Sequence, residues 1–431
     1  QKSLKREKFR LDEKCTFEYI LQHKEAENLG EVIDKVLERI EDDNKEKLDG
    51  VFREISFNSE AIFGRTKEKN KILKNLLEDF NDPRLDLRPS MLEGNDVIGD
   101  SYEYLIAHFA SDAGKKGGEF FTPSAVSTLL SKLVEAKEGD RIYDPTCGSG
   151  SLLIKASKVI CNNNFRIYGQ ESKNATVALC KMNMFLHDIN DAVIEWGDTI
   201  NNPLHLENDH LMKFDVVVAN PPFSLDKWGA EDALNDKYKR FTRGVPPKSK
   251  GDYAFICHMI ASLNEHGRMG VVLPHGVLFR GASEGQIRKQ LIDENLLDAV
   301  IGLPANLFFG TSIPACILVF KKNRTNKDII FIDASNEFEK GKNQNSLTDD
   351  YLTKIIDTYK NRKEIEKYSH LATVEEIQEN DYNLNIPRYV DTFEEEEIID
   401  LEATKTNIVK LETELVEIKS KMSAYLKELG L

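Results

Sequence analysis

No apolar run in this 431-residue chain reaches membrane-spanning length. Charged residues make up 30% of it, the composition of a soluble, cytoplasmic protein. The lysine-rich opening is followed by no apolar stretch, which argues against a signal peptide. Gln1 in place of Met implies that the true start is missing or removed. The six cysteines, Cys15, Cys147, Cys161, Cys180, Cys257 and Cys316, show no paired spacing. They are expected to be reduced thiols, forming neither a zinc site nor a disulfide framework. No metal constellation is visible. A phosphate-binding lysine is missing from the one glycine-rich turn, which argues against a nucleoside triphosphate. A surplus of positive charge is missing too: the net charge is −15.

Against these absences stands Asn220-Pro221-Pro222-Phe223, directly after the apolar run Phe214-Asp215-Val216-Val217-Val218-Ala219. The valines predict a buried parallel strand. Two prolines forbid its continuation, since neither can donate to a ladder and both fix φ. The result is a rigid turn at the carboxyl end of a strand, where open α/β sheets put their active sites. The Asn220 amide carbonyl can accept a hydrogen bond from an amino group, the Pro221 carbonyl can accept a second, and Phe223 offers an aromatic face. Two acceptors and a stacking surface fit an exocyclic amine on a planar ring, such as N6 of adenine.

Upstream, Arg141-Ile142-Tyr143-Asp144 ends a short strand and Pro145-Thr146-Cys147-Gly148-Ser149-Gly150-Ser151 opens a helix. Gly148 and Gly150 allow the backbone close to a ligand, and the helix start presents free amide donors. The next strand ends in Glu171, about 20 residues after the loop, the spacing of a ribose-hydroxyl acceptor. A third ends at Gly197-Asp198-Thr199. Loop, carboxylate and Asp198 describe a nucleoside cradle without a phosphate clamp, which suits S-adenosylmethionine better than NAD. Cys147 resembles a nucleophile in a glycine-rich turn, but no paired histidine is identifiable, so a small loop residue is expected. His275 fits either a structural histidine or a lining of the cleft.

Residues 1–95 show helical periodicity without strands, as in Leu29, Val32, Ile33, Val36, Leu37 and Ile40 and again in Ile72, Leu73, Leu76, Leu77 and Phe80. An N-terminal helical domain is expected there. A helix from Val97 leads toward Gly117. Strands then alternate with helices: 141–144, 166–170, 192–196, 214–219, 270–273, 297–302, 315–320 and 329–332. This predicts an α/β fold, a Rossmann-like, mostly parallel sheet with helices on both faces. The last strands lie too close together for crossover helices, so an antiparallel pair is expected. A catalytic domain over 96–392 and a C-terminal helix over 393–431 complete the division.

The segment Gly117-Gly118-Glu119-Phe120-Phe121-Thr122-Pro123, followed in order by the Asp144 loop and Asn220-Pro221-Pro222-Phe223, closely resembles the N6-adenine DNA methyltransferases. The likeness is specifically to the modification subunits of Type I restriction–modification systems. It covers roughly residues 95–390 and is weaker in both helical flanks. It implies an S-adenosylmethionine-dependent enzyme acting on double-stranded DNA, with sequence specificity supplied by a separate subunit and a restriction subunit in the full complex. The target adenine, unreachable inside a duplex, must flip out and stack on Phe223. Phe121 and the Thr122-Pro123 turn would cover the cofactor, with Glu119, Phe120 and Ser124 beside them. Asp144 would sit near its methionine ammonium, with Thr146, Gly148, Ser149, Gly150 and Ser151 forming the loop. Glu171 would take its ribose hydroxyls and Asp198 its adenine amine. Glu119 also fits a capping or structural role, and Phe120 and Phe121 fit a core.

The acidic charge is awkward for a DNA enzyme, because phosphate contacts supply much of the affinity. Basic residues must gather on one face, or another subunit must supply the grip. The loop 224–251 holds Lys227, Lys237, Lys239, Arg240, Arg243, Lys248 and Lys250, with Trp228, Tyr238 and Phe241 interleaved. It is either a solvated insertion or a contact to the DNA backbone, with Lys227, Lys239, Arg240, Arg243, Lys248 and Lys250 as candidates. The last segment places Leu401, Thr404, Ile408, Leu411, Leu415, Ile418, Met422, Tyr425 and Leu429 at alternating steps of three and four, a heptad seam. It could fold back, form a homodimeric coiled coil, or dock against the specificity subunit. The resemblance favours docking, with two copies of this chain per specificity subunit. A methyltransferase acting on protein glutamine and an inactive scaffold are the competing readings. The first uses a similar Asn-Pro-Pro turn; the second is opposed by intact Asn220, Glu171, Asp144 and Gly148. No long target-recognition insertion is evident.

Overall fold

A computed structural model of the chain describes residues 9–53, 56–87, 92, 96–112, 122–308, 311–342, 344–392 and 401–428. The chain divides into two units, Gln1–Val390 and Asp391–Leu431.

The first unit is organised on a nine-stranded sheet. In chain order the strands are β1 (Arg141–Asp144), β2 (Arg166–Glu171), β3 (Val193–Trp196), β4 (Phe214–Ala219), β5 (Leu263–Pro274), β6 (Leu297–Gly302), β7 (Ala315–Lys321), β8 (Ile329–Asp333) and β9 (Ser369–Ala372). Across the sheet they lie in the order β9-β8-β6-β7-β5-β4-β1-β2-β3. Strands β3, β2, β1, β4 and β5 pair in parallel. β7 runs antiparallel to both β5 and β6. The stretch between β6 and β7 holds no crossover helix among the described residues, and the chain turns back on itself.

β4 shows why the sheet must be buried on both faces. Val216 and Val218 belong to one hydrophobic layer, Val217 and Ala219 to the other, and all four are fully buried. The strand order reverses between β1 and β4, because β2 and β3 lie to one side and the chain then crosses back. Ligands in open α/β sheets bind at the carboxyl ends of strands at such a switch point.

The structure departs from the sequence reading at two strands. The strand expected at 270–273 is the end of the longer β5. β9, antiparallel to β8, was not foreseen; Ser-His-Leu-Ala has neither alternation nor strong β-formers, and only its pairing makes it a strand.

Ahead of the sheet the described residues form helices and no strand. Helices α1 (Leu29–Asp43) and α2 (Thr66–Phe80) pack through Leu29, Ile33, Leu73 and Leu77. In the second unit, residues Leu401–Glu428 form one helix, with Ile408, Leu411, Leu415, Ile418, Met422 and Tyr425 along it. No other element of that unit is present among the described residues to cover them. Leu429 of the expected seam lies outside the described residues.

Candidate active site

The loop after β1 and the turn after β4 meet at the switch point. Gly148 (φ +53°) and Gly150 (φ +84°) take left-handed backbone, which a side chain would strain. A Cβ on Gly150 would also lie 2.5 Å from Met184 Cε. The Gly148 N–H donates to Glu171 Oε2 at 3.1 Å, and Glu171 Oε1 accepts from the Lys173 N–H at 2.9 Å and the Ser172 hydroxyl at 3.2 Å. The loop and the end of β2 are thereby tied together. Asn183 Nδ2 donates to the Ser149 carbonyl at 2.9 Å, while Ser149 Oγ is buried without a partner. Ser151 is buried and starts the helix Ser151–Lys158.

Asp144 is buried and accepts from the Thr146 N–H at 2.8 Å. Burial pushes its carboxyl up to about 8, the Glu171 charge adding to the rise against the pull of the Thr146 hydrogen bonds. No cation of the protein pairs with it among the described residues. Asp198 accepts from the Ile200 N–H at 2.9 Å and from Asn201 Nδ2 at 2.7 Å.

A cavity of about 320 Å³ opens here, lined by Thr146, Glu171, Asp198, Asn220, Pro222 and Lys227 together with Pro145, Ser172, Lys173, Trp228 and Phe255. Four strand ends contribute to it. Asn220 is half-buried, and its Nδ2 donates to the buried Thr122 hydroxyl at 3.1 Å. That bond turns the amide so that Oδ1 is left as the acceptor. Pro221 is buried, and the Phe223 ring meets Phe308 edge-on at 5.8 Å. Pro123 caps the helix Ser124–Val134; with Ser124 it lines a second cavity of about 580 Å³. Glu119, Phe120 and Phe121 lie outside the described residues.

The basic candidates separate. Lys227 lines the catalytic cavity, Lys248 pairs with Glu231 at 2.8 Å, and Lys250 is half-buried. Lys239 and Arg243 sit at the other end of the sheet, where both line a different cavity. Arg240, expected to contact the DNA backbone, also borders that cavity but is only 4% exposed, with its guanidinium turned into the protein. It pairs with Asp236 at 2.7 Å and donates to the Thr199 carbonyl at 3.3 Å and the Ile200 carbonyl at 2.7 Å. It is therefore a brace beneath the Asp198 turn, because its donors are spent inside the protein. Trp228 and Phe241 are buried as well, so the loop is a packed part of the domain.

Two supporting residues escaped the sequence reading. Asp252 Oδ1 accepts from the Ser224 N–H at 2.8 Å, and its other oxygen pairs with Arg280 at 2.5 Å, which fixes the end of the Asn-Pro-Pro-Phe turn. The Thr199 hydroxyl donates to the Pro145 carbonyl at 2.6 Å, joining the Asp198 turn to the glycine loop. Neither pairing has a local signal, because both link residues far apart in the chain. His275 donates from Nε2 to the Ala315 carbonyl at 3.0 Å, a structural bond. Cys147 and Cys180 are buried side by side, 3.9 Å between sulfurs; their mutual contact and burial raise the Cys147 thiol well above its usual range. Among the described residues Asp96, Asp100 and His187 could together face a metal, but the Lys158 ammonium pairs with both carboxylates, at 3.0 and 3.3 Å.

Comparisons with known proteins place nearly the whole chain beside one kind of protein. The family described as N-6 DNA Methylase matches residues 93–398, and that described as HsdM N-terminal domain matches residues 1–80. The chain is 34% identical to the Type I restriction enzyme MpnII methylase subunit of Mycoplasma pneumoniae, over 95% of this chain and 79% of that protein. It is 36% identical to the MjaVIII methylase subunit of Methanocaldococcus jannaschii, over 95% and 72%. Among solved structures, a Type I restriction-modification methyltransferase subunit from Streptococcus thermophilus superposes with a TM-score of 0.82 at 40% identity, covering 90% of this chain and 83% of that one.

Proposed function

The chain belongs to the N-6 DNA methylase family, among the methylase subunits of Type I restriction enzymes, and from that premise we propose how its residues methylate adenine. It is an adenine-specific DNA methyltransferase. A glutamine methyltransferase and an inactive scaffold are not favoured, since both the N-terminal flank and the catalytic region match families of one kind, as do the relatives that cover most of the chain.

The observation that carries the reading is the Asn220–Thr122 hydrogen bond. The amine of adenine is a poor nucleophile because its lone pair is delocalised into the ring. Asn220 Oδ1 and the Pro221 carbonyl accept its two hydrogens, turning the lone pair toward the methyl donor. Proximity and fixed dipoles do the work without a strong base. Thr122 holds the amide in the accepting orientation, Asp252 and Arg280 hold the turn, and Phe223 stacks on the flipped base.

S-adenosylmethionine fits the donor set. Asp144 is a buried carboxyl with no cation beside it among the described residues, and a ligand ammonium is what would relieve it. Glu171 suits ribose hydroxyls, Asp198 an adenine amine, and Thr146 with Gly148–Ser151 the loop around them. Glu119 to Ser124 close the assignment as cover. Once bound, that cofactor supplies a methyl group on a sulfonium.

Double-stranded DNA and further subunits of the restriction–modification complex are the partners. The C-terminal helix docks its apolar seam on a DNA-specificity subunit, two copies of this chain to one, and that subunit brings sequence reading and much of the phosphate contact. Lys227, Lys248 and Lys250 approach the backbone beside the target base. The test is transfer of labelled methyl to DNA with and without co-expressed specificity subunit, followed by digestion to nucleosides. Label in N6-methyladenine, dependent on that subunit, is expected. Label on protein glutamine, or none, would overturn the reading. Removing residues 398–431 should abolish assembly while cofactor binding persists.

A further inference from the structure

The loop from Ser224 to Gly251 leaves the catalytic turn and reaches the opposite edge of the sheet, where it meets a cavity of about 690 Å³. This cavity is bounded by Leu211 and Lys213, which lead into β4, by Leu296, which leads into β6, and by Lys322, which follows β7. All are at the amino ends of the parallel strands or the end of the antiparallel one. The catalytic turn lies a strand length away, about 20 Å for six residues at roughly 3.3 Å each.

Its lining carries six lysines and arginines against two carboxylates, in a chain of net charge −15. Three of the cations are paired: Lys237 with Asp209 at 3.4 Å, Arg240 with Asp236 at 2.7 Å, and Arg243 with Glu294 at 2.5 Å. Lys213, Lys239 and Lys322 have no carboxylate within ion-pair distance among the described residues. Lys213 Nζ donates to the Ala261 carbonyl, and Lys322 Nζ to the Leu263 carbonyl at 2.9 Å. These bonds orient both ammonium groups at the end of the helix Asp252–Ser262 and leave each with further donors. Burial lowers the proton affinity of both, and the neighbouring Lys213 and Arg243 charges lower that of Lys322 further, more than the Glu265 and Glu294 carboxylates restore. Like charges held together in a concavity cost free energy that a bound anion would remove.

We propose that this cavity binds a phosphate-bearing anion, held by Lys213, Lys239 and Lys322. Phosphate is favoured over the carboxylates of an acidic peptide by which cations remain open. A planar carboxylate is matched by the arginine fork, and both forks here are already filled by Asp236 and Glu294. What remains are ammonium point charges, which suit a tetrahedral anion approached from several sides. The anion is either a free phosphate compound or the backbone of DNA away from the target base. The site stands apart from the methyl-transfer reading and does not depend on it.

The experiment is calorimetric titration of the full chain with inorganic tripolyphosphate at low salt. Saturable binding is expected, weakened about tenfold or more in Lys213→Gln/Lys322→Gln, while S-adenosylmethionine binding by that variant stays unchanged. Should the double variant fail to fold, the exposed Lys239→Gln must still weaken tripolyphosphate binding. A competition arm separates the sources. Displacement of a labelled duplex by tripolyphosphate, with a salt slope in the double variant shallower by about 1–2, assigns the DNA backbone; binding without displacement assigns a free phosphate compound. The proposal is overturned if tripolyphosphate does not bind, if the variants bind it equally well, or if polyglutamate binds where tripolyphosphate does not.

Discussion

The two edges of one sheet present opposite chemistry. At the carboxyl ends of the strands the acceptors Glu171, Asp198, Asn220 and Asp226 outnumber the cations Lys173 and Lys227 around a cavity of about 320 Å³, with Asp144 buried at the end of β1. At the amino ends, a cavity of about 690 Å³ is ringed by lysine and arginine. The same loop, 224–251, borders both. The difference shows that a basic stretch in sequence is not a basic patch in space. Lys227 falls to one edge, Lys239 and Arg243 to the other, and Arg240 becomes a buried strut that joins them by bracing the Asp198 turn.

The comparison breaks most visibly at Asn220. Asn220→Ala should abolish methyl transfer to DNA and leave cofactor affinity nearly unchanged, since in the proposed mechanism the amide takes the target base and not the cofactor. Single-turnover kinetics beside calorimetry would check it, and near-normal turnover would sink the mechanism. Arg240→Met tests the strut. Leaving Asp236 buried without its cation should cost about 3–5 kcal/mol of stability, read by denaturant unfolding. A DNA-contact role predicts instead a normal midpoint with weaker, less salt-dependent DNA binding.

A smaller effect is expected at the acidic edge. Glu171→Ala should weaken S-adenosylmethionine binding by about 1.5–3 kcal/mol, the worth of a charge-assisted hydrogen bond. Smallest per step is the pH dependence set by Asp144. Its carboxyl titrates near 8 in the folded chain, against an ordinary 3.8. The unfolded chain therefore releases this proton first, and the carboxyl lowers stability progressively as pH rises from about 4 to about 8. A cation bound beside it favours the carboxylate, so binding below pH 8 expels a proton. Cofactor affinity should rise by up to about tenfold per pH unit toward 8 and level off above it. Calorimetry in buffers of different ionisation enthalpy would count the proton; affinity independent of pH would place the ammonium elsewhere.

By itself the sequence determined most of the strands and where they stop. Three consecutive valines before two prolines can only be a buried strand that stops, and two glycines between a strand and a helix can only be a close-approach turn. Those constraints are local: backbone dihedrals, missing donors and periodicity act within a few residues. The alternation of strands and helices was equally local, so the mostly parallel sheet and one of its two antiparallel strands, β7, were legible too. Tertiary structure alone decided which distant groups meet. The Thr122 hydroxyl on Asn220, Asp252 on Ser224, the lysines gathered from two strand ends and the loop 224–251, and the burial of Arg240 all join residues with no shared periodicity. β9 exists for the same reason: four residues without strand character were recruited by an unpaired edge. Contacts of this kind depend on the order in which strands assemble, and that order is fixed by burial over the whole domain, not by any one segment.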